Sequence, residues 1–168
     1  MELSVFKKYL NQLDKKLENY FDKLSTYIKC KKGCSDCCQK GDYPLSEIEM
    51  QLILEGYLAL NNETKIKVQQ NIKEIKKGET CPFLLNNECS IYSSRPIICR
   101  VHGLAYLCKD NTVKLPYCVN TNKNYASLYN GEEFVGSPIK ENLDTINLLQ
   151  GFEFGEIRNL YDWLHTEK

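Results

Sequence analysis

The feature that most constrains this chain is the nine-residue run C-K-K-G-C-S-D-C-C, which places four cysteines from Cys30 to Cys38. The adjacent Cys37 and Cys38 cannot form an ordinary disulfide without straining the peptide between them. Thiols this close together become soft metal ligands once they lose their protons. The run therefore predicts a metal or iron–sulfur centre in which Cys30, Cys34, Cys37 and Cys38 are candidate ligands.

Five further cysteines are spread over the middle of the chain, and they give an odd total of nine. A complete disulfide framework would therefore leave one thiol over. The first residues contain no unbroken apolar stretch, so we expect neither a secretory signal nor a membrane helix. We accordingly expect a cytoplasmic location, where thiols stay reduced and can bind metal. The additional candidate ligands are Cys81, Cys89, Cys99, Cys108 and Cys118.

The composition is typical of a globular protein that stays in solution. Apolar residues make up 42% of the 168 positions and charged residues 26%. The 22 basic residues balance the 22 acidic ones, so the formal charge of zero indicates no basic surface for nucleic acid. The length is that of one ordinary domain. We therefore predict a compact single domain over residues 1–168.

A periodic apolar pattern predicts a mostly helical fold with about five helices. The first is a long amphipathic helix over residues 2–28. A second begins near Ser46, because Ser46 and Glu49 fit a capping box. A third is expected over residues 63–77, followed by a glycine that can end it. The inward residues of this third helix are predicted to be Ile66, Val68, Ile72 and Ile75.

The C-terminal part of the chain is also predicted to be helical. Ser137 and Pro138 have the order of an N-cap and a first helical residue. A last helix is expected from about Glu153, with apolar residues at helical spacing. The two helices would occupy residues 138–165 and, with the helix over residues 2–28, flank the cysteine-rich part of the chain.

That cysteine-rich part lacks a sustained period. Residues 81–118 contain three prolines and the turn-like pair Asn86 and Asn87, which indicates irregular structure with short turns. Irregular backbone needs another source of order, and bound metal can supply it. We therefore predict a metal-binding core over residues 30–118 whose centre is irregular and organised by metal.

The cysteine spacing leaves more than one ligand arrangement open. Cys34 can share a helical face with either Cys37 or Cys38, but those two diverge by about 100° on a helix of 3.6 residues per turn. The vicinal pair can therefore serve two different metals or two corners of one larger cluster. The later cysteines follow at intervals of eight to ten residues, unlike a zinc finger or a ferredoxin run. They would complete a composite centre.

Two blocks of this sequence resemble a known family. The first is the run from Cys30 to Cys38, and the second is C-P-F-L-L-N-N-E-C-S-I-Y-S-S-R-P-I-I-C-R, which starts at Cys81. Together they resemble the YkgJ-type cysteine-cluster proteins, also called the CxxCxxCC family, which is described as a zinc- or iron-chelating domain. The first spacing here is three residues, where the family's name implies two. The resemblance implies as metal-site residues Cys34, Cys37, Cys38, Cys81, Cys89 and Cys99.

Several other candidates have an ordinary alternative. Cys108 and Cys118 are either ligands or small buried core residues. His102 lies close enough in sequence to the second block to be a ligand, but a single histidine can equally be structural. Arg95 and Arg100 can donate to sulfur around a metal site or form ordinary salt bridges.

These patterns indicate a metal-binding protein that holds an iron–sulfur cluster, or zinc or iron ions, through its cysteines. A second hypothesis is a metal-dependent enzyme, in redox or group-transfer chemistry, with an open coordination position at that centre. A third is a thiol sensor whose vicinal pair oxidises reversibly. The sequence contains no phosphate-binding glycine loop, nucleophile elbow or H-E-x-x-H motif. It therefore does not decide between these hypotheses, and it leaves the substrate and any protein partner unknown.

Overall fold

A computed structural model describes residues 2–30 and 33–165 of the chain. Within these ranges the fold is mostly helical with little sheet, which confirms that prediction. No helix in the same ranges has the length and apolar character that crossing a bilayer requires. In chain order the elements are α1 (Glu2–Lys23), a 3-10 helix (Asp36–Lys40), β1 (Pro44–Ser46), α2 (Glu47–Leu58), α3 (Asn62–Glu74), β2 (Leu84–Leu85), β3 (Glu88–Cys89), a 3-10 helix (Tyr92–Ser94), α4 (Ile97–Val101), β4 (Tyr106–Leu107), β5 (Val113–Lys114), a 3-10 helix (Tyr117–Thr121), α5 (Thr145–Leu148), β6 (Ile157–Asn159) and α6 (Leu160–His165).

The chain divides into two compact units, each assembled from separate segments. Unit 1 consists of Met1–Leu3, Lys32–Pro96 and Glu153–Lys168. Unit 2 consists of Ser4–Lys31 and Ile97–Phe152. The single domain over the whole chain stays a prediction.

Helix α1 is shorter than the predicted helix over residues 2–28. Its apolar stripe is buried as expected, with residues at steps of three and four on one face. After Lys23 the backbone tightens, because Ser25 and Tyr27 donate to carbonyls three residues back, at 3.2 and 2.8 Å. The chain therefore reaches Cys30 through turns and not directly from a helix. The buried residues of the stripe are Phe6, Leu10, Leu13 and Leu17.

The start of α2 in unit 1 is fixed by the predicted capping box. The Glu49 carboxylate accepts hydrogen bonds from the backbone N–H of Ser46 at 2.9 Å and from its hydroxyl at 2.7 Å. Both side chains are completely buried. The two donors of Ser46 are thus satisfied without water, which anchors the first turn of the helix.

The predicted inward face of α3 is only partly buried. Val68 is completely buried, whereas Ile66 is 64% exposed, so the assignment of Ile66 to the core is wrong. Residues two positions apart lie about 200° apart on a helix of 3.6 residues per turn, and they cannot face the same core. The helix ends at Glu74, before the predicted end at residue 77.

The helix predicted from Glu153 is wrong over its first part. Strand β6 occupies this segment and pairs antiparallel with β1, with Leu45 opposite Arg158. The pairing extends into α2, where the N–H groups of Glu47 and Ile48 donate to carbonyls of the C-terminal segment at 2.9 and 3.3 Å. Only α6 is helical. A partner strand distant in sequence has overridden the local helical pattern.

The helix predicted from Ser137 is also wrong, so helices do not fill residues 138–165. Ile139 lies in an extended segment that forms a parallel bridge with Tyr106 in unit 2. Its N–H donates to the Ala105 carbonyl at 2.8 Å, and its carbonyl accepts from Leu107 at 2.9 Å. These bonds hold Ile139 beside β4 through an isolated bridge, and between residues 137 and 152 helical structure is confined to α5.

Replacing Glu49 with alanine should destabilise the fold, because the N–H and hydroxyl of Ser46 would lose their acceptor in a buried place. We expect a loss of about 1–3 kcal/mol in the free energy of unfolding, measured by urea denaturation followed by circular dichroism. Glu63→Ala is the matched control, since Glu63 forms an exposed ion pair with Lys67 on α3 and should change the midpoint little. Equal midpoints for the parent and Glu49→Ala would contradict the role of this cap.

Candidate metal centre

A short hairpin in unit 1 brings two cysteines of the second block to one end. Strands β2 and β3 pair antiparallel with Leu84 opposite Cys89. The connecting residues Asn86 and Asn87 have φ of 51° and 63°, the left-handed conformation that a tight two-residue hairpin turn needs. Cys81 comes three residues before Leu84, so both thiols lie at the open end of the hairpin.

Backbone N–H groups surround the sulfurs of both cysteines. The Cys81 sulfur accepts from the N–H groups of Phe83 and Leu84, and the Cys89 sulfur accepts from that of Ile91. Each donor lies two or three residues after its cysteine, so the local turn itself supplies it. Hydrogen bonds of this kind favour the thiolate form of a cysteine and tune metal-bound sulfur.

Electrostatics show that these thiols lie close to one of the first-run cysteines. Burial raises the pKa of Cys81 to about 12, with Cys89 and Cys37 also acting to raise it and the backbone donors acting to lower it. Burial likewise raises the pKa of Cys89, where Cys37 acts in the same direction and the Arg95 guanidinium opposes it. Each of these three thiols disfavours ionisation of the others. A cation bound among them would therefore have a large effect on their ionisation.

The first cysteine run is docked onto Cys81 by main-chain contacts. The Cys38 carbonyl, in the 3-10 helix Asp36–Lys40, accepts from the Cys81 N–H at 2.7 Å. Nearby, the Gly41 N–H donates to the Glu79 carbonyl at 3.1 Å. A Cβ on Gly41 would lie 2.4 Å from the Cys81 Cβ. Glycine is therefore required at position 41 for the two cysteine blocks to approach this closely.

The vicinal thiols lie near each other in spite of their position on a tight turn. The Sγ atoms of Cys37 and Cys38 are 4.0 Å apart, and the Tyr43 hydroxyl donates to the Cys37 carbonyl at 2.8 Å. This separation is far longer than a disulfide bond of about 2.05 Å. Two sulfurs on one tetrahedral zinc ion, each about 2.3 Å from it, are about 3.8 Å apart. Of the arrangements that the sequence left open, the geometry favours one shared centre.

The structure thus brings together four of the predicted ligands in unit 1. Cys34 lies half-buried just before the 3-10 helix Asp36–Lys40, which contains Cys37 and Cys38. Across residues 2–30 and 33–165, no group of three or more His, Cys, Asp or Glu side chains is arranged to hold a metal ion with its side chains as they stand. The donor type and the vicinal separation fit a thiolate-bound ion, and the side chains would have to turn to enclose it. The four thiols are Cys37, Cys38, Cys81 and Cys89.

The remaining predicted ligands lie in unit 2. Cys99 is on α4, and the N–H of His102 donates to the Ile98 carbonyl at 3.1 Å. Cys99 and His102 are therefore one helical turn apart on the same side. Burial lowers the pKa of His102, which keeps the imidazole neutral, as a metal ligand must be. Cys118 is buried in its 3-10 helix.

Cys108 has a different environment, at the end of the β4–β5 hairpin in unit 2. Its N–H donates to the Thr112 carbonyl at 2.8 Å. Burial raises the pKa of its thiol, and the carboxylates of Asp144 and Asp110 add to this while Thr112 opposes it. Two neighbouring carboxylates thus disfavour a thiolate at this position.

The two arginines also differ in what they contact. Arg95 lies over the Tyr92 ring, 3.6 Å from its centroid, and acts to lower the pKa of Cys89. Arg100 is buried in unit 2 and forms an ion pair with Asp14, the ordinary alternative that the sequence left open. Arg95 is therefore the arginine that acts on a thiol of the candidate centre.

Sequence reasoning missed three residues that shape the thiol sites. Gly41 and Tyr43 follow the first run closely, and the glycine beside the vicinal cysteines is the one signal that could have pointed to a close approach. Asn124 lies in unit 2, is completely buried and donates to the Cys30 sulfur at 3.0 Å. Nothing in the local sequence marks Asn124, because the contact depends on chain segments distant from each other.

The model of one protein family matches the chain over residues 29–128. The family is CxxCxxCC, described as a putative zinc- or iron-chelating domain. The match covers more than half of the chain and includes both cysteine blocks. No curated protein and no solved structure shows significant similarity to the chain.

Replacing Gly41 with alanine should push the first cysteine run away from Cys81. Since the φ of Gly41 is an ordinary −82°, the clash alone would cause the effect. We expect the affinity for zinc or ferrous ions to fall by about tenfold or more, measured by competition with a chromophoric chelator. In the control Gly131→Ala the new Cβ meets open space, but the φ of +102° strains an alanine. The stability of the fold should therefore fall slightly, and the metal affinity should stay the same. Unchanged affinity in Gly41→Ala would contradict the docking.

Proposed function

We propose that this chain, which belongs to the CxxCxxCC family, binds a single zinc ion in unit 1 through four thiolates. The ligands would be Cys37 and Cys38 from the first run and Cys81 and Cys89 from the hairpin. Zinc bound by four cysteines is tetrahedral and has no open position, which is typical of a structural site. The ion would join the two blocks of an otherwise irregular segment.

The observation that carries this proposal is the 4.0 Å separation of the Cys37 and Cys38 sulfurs. Such a separation suits two ligands of one ion, whereas each iron of a four-iron cluster takes one cysteine. The backbone donors at the sulfurs of Cys81 and Cys89 support the same interpretation, because they favour the thiolate form that a metal binds. A ferrous ion or an iron–sulfur cluster is the alternative occupant of the same thiols.

A bound zinc ion would also offset part of the negative charge of the four thiolates. Four thiolates and a divalent cation together carry two negative charges, and the Arg95 guanidinium acts on Cys89 from within the same unit. Binding would offset the mutual repulsion of the thiolates by attraction to the cation. Because the ligands come from separate segments, the binding energy would contribute to folding.

The double variant Cys81→Ser, Cys89→Ser should lower the metal content of anaerobically purified protein by one zinc ion per chain, since two of the four ligands are removed. Metal is measured by inductively coupled plasma mass spectrometry after dialysis. Ser90→Ala is the matched control. It removes the hydroxyl that donates to the Phe83 carbonyl at 2.9 Å, next to Cys89, and leaves every thiol in place.

Zinc content equal to the parent's in the double variant would overturn the assignment of these ligands. A visible absorption band that dithionite bleaches, together with stoichiometric iron and sulfide, would replace zinc by an iron–sulfur cluster. Colourless parent protein that carries zinc supports the proposal.

A second candidate function is metal-dependent catalysis at an open coordination position. A cavity of about 420 Å³ in unit 1 is lined by Cys89, together with Leu60, Thr64, Lys67 and Ser90. A cavity of this size beside a metal could admit a small substrate, with apolar, hydroxyl and charged groups to orient it. The sulfur of Cys89 would then face both the ion and the bound molecule.

Cobalt-substituted protein distinguishes the two candidates, because the visible bands of cobalt report its coordination. If a position is open, azide should shift these bands, and Leu60→Trp should weaken the shift by filling the cavity. Leu54→Trp is the control, since Leu54 is 50% exposed on α2 and does not line the cavity. A spectrum that azide leaves unchanged would exclude the open position and support the closed site.

A further inference from the structure

Tyr43 holds the backbone of the first cysteine run in unit 1. Its hydroxyl donates to the Cys37 carbonyl at 2.8 Å. This carbonyl belongs to the peptide that joins Cys37 to Cys38, and the atoms of a peptide lie in one plane. The hydroxyl of Tyr43 therefore fixes the direction of that peptide, and with it the positions from which the two vicinal side chains start.

The backbone of Tyr43 binds the C-terminal segment, which consists of β6 and α6 (residues 157–165). The Tyr43 carbonyl accepts from the Leu160 N–H at 2.9 Å. The carboxylate of the preceding residue, Asp42, accepts from the Tyr161 N–H at 3.0 Å. Both donors are among the first N–H groups of α6, which have no acceptor inside the helix. Tyr43 thus contacts the start of α6 and the vicinal cysteines at the same time.

Further contacts attach the C-terminal segment to the rest of unit 1. Strand β6 pairs with β1 along its whole length. The Trp163 Nε1 donates to the Leu45 carbonyl at 2.9 Å, and the Lys77 Nζ lies 2.9 Å from both carboxylate oxygens of Asp162. The family match ends at residue 128. These contacts therefore join the matched region to a segment that lies outside it.

The C-terminal segment depends on these contacts for its order. Helix α6 has six residues, whereas an isolated helix shorter than about 12–15 residues is marginal in water. A two-stranded sheet is also marginal by itself. Elements of this kind open locally with a smaller free energy than the whole fold. A modest stabilisation of the bonds at Tyr43 should therefore change the fraction of molecules in which the segment is docked.

We infer that docking of the C-terminal segment and metal binding at the vicinal cysteines strengthen each other through Tyr43. The docked segment holds Tyr43, and Tyr43 holds the peptide between Cys37 and Cys38 in the orientation that leaves their sulfurs 4.0 Å apart. Linkage makes the coupling reciprocal, so a bound ion stabilises docking by the factor by which docking strengthens binding. Tyr43 is a positioning residue, because it acts on the ion through the backbone of Cys37. The inference rests on the metal site proposed in unit 1.

The test uses the full chain, reduced and freed of metal, with zinc sulfate as the probe. Amide hydrogen exchange of residues 157–165 is followed by mass spectrometry with and without one zinc ion per chain. Zinc should slow this exchange by about 2–10-fold, the factor that corresponds to one hydrogen bond. The double variant Cys81→Ser, Cys89→Ser should show no slowing, since it lacks two of the four proposed ligands.

Tyr43→Phe removes the hydroxyl and leaves the backbone bond from Leu160 in place. Zinc affinity should fall by about 2–10-fold, measured by chelator competition, and zinc should slow exchange in the C-terminal segment less than it does in the parent. A loss of stability alone would not remove this response to zinc. Tyr57→Phe is the matched control, since it removes a hydroxyl from α2 of the same unit. It should leave the zinc affinity and the response unchanged.

The outcomes separate this inference from the proposed function. If zinc binds but leaves the exchange of residues 157–165 unchanged, or if Tyr43→Phe binds zinc as tightly as the parent, the coupling is overturned and the metal site stands. A parent that binds no zinc overturns both. Circular dichroism checks the folding of each variant, and the exchange of the parent with and without zinc tests the coupling even where Tyr43→Phe does not fold.

Discussion

The contact on which the candidate metal centre depends is the backbone hydrogen bond from the Cys81 N–H to the Cys38 carbonyl. It fixes the 3-10 helix of the first run against the hairpin of the second, and the absence of a side chain on Gly41 permits the distance. A main-chain bond holds position without using a thiol. The backbone therefore brings the sulfurs to one place, and the thiols stay available as metal ligands.

The amide donors at the sulfurs connect this local fold to the chemistry. In unit 1 they are backbone N–H groups supplied by the turns after Cys81 and Cys89. In unit 2 the donor to Cys30 is the side-chain amide of Asn124. Burial disfavours a thiolate, and these donors favour one, so the two effects oppose each other. At Cys81 and Cys89 burial is the larger of the two effects, and the pKa of each thiol is raised.

How much of this could be predicted from sequence differs between the fold and the site. The family resemblance of the two cysteine blocks, the mostly helical fold and the capping box at Ser46 are confirmed, because each depends on residues near one another in the chain. The helices predicted from Ser137 and Glu153 fail where Ile139 and β6 pair with distant strands. Local periodicity contains no information about such partners.

The cysteines themselves could be listed from sequence, but their grouping could not. Spacing on an ideal helix made Cys37 and Cys38 diverge, whereas the real turn leaves their sulfurs 4.0 Å apart. The difference arises because side-chain torsions, as well as backbone rotation, decide where a sulfur lies. Asn124 shows the same limit in another form, since its partners at Lys29, Cys30 and Gly103 belong to two segments that are distant from it in the chain. The chemistry of a cysteine thus depends on the N–H groups that the fold places around it, and the spacing of cysteines determines only which thiols are available.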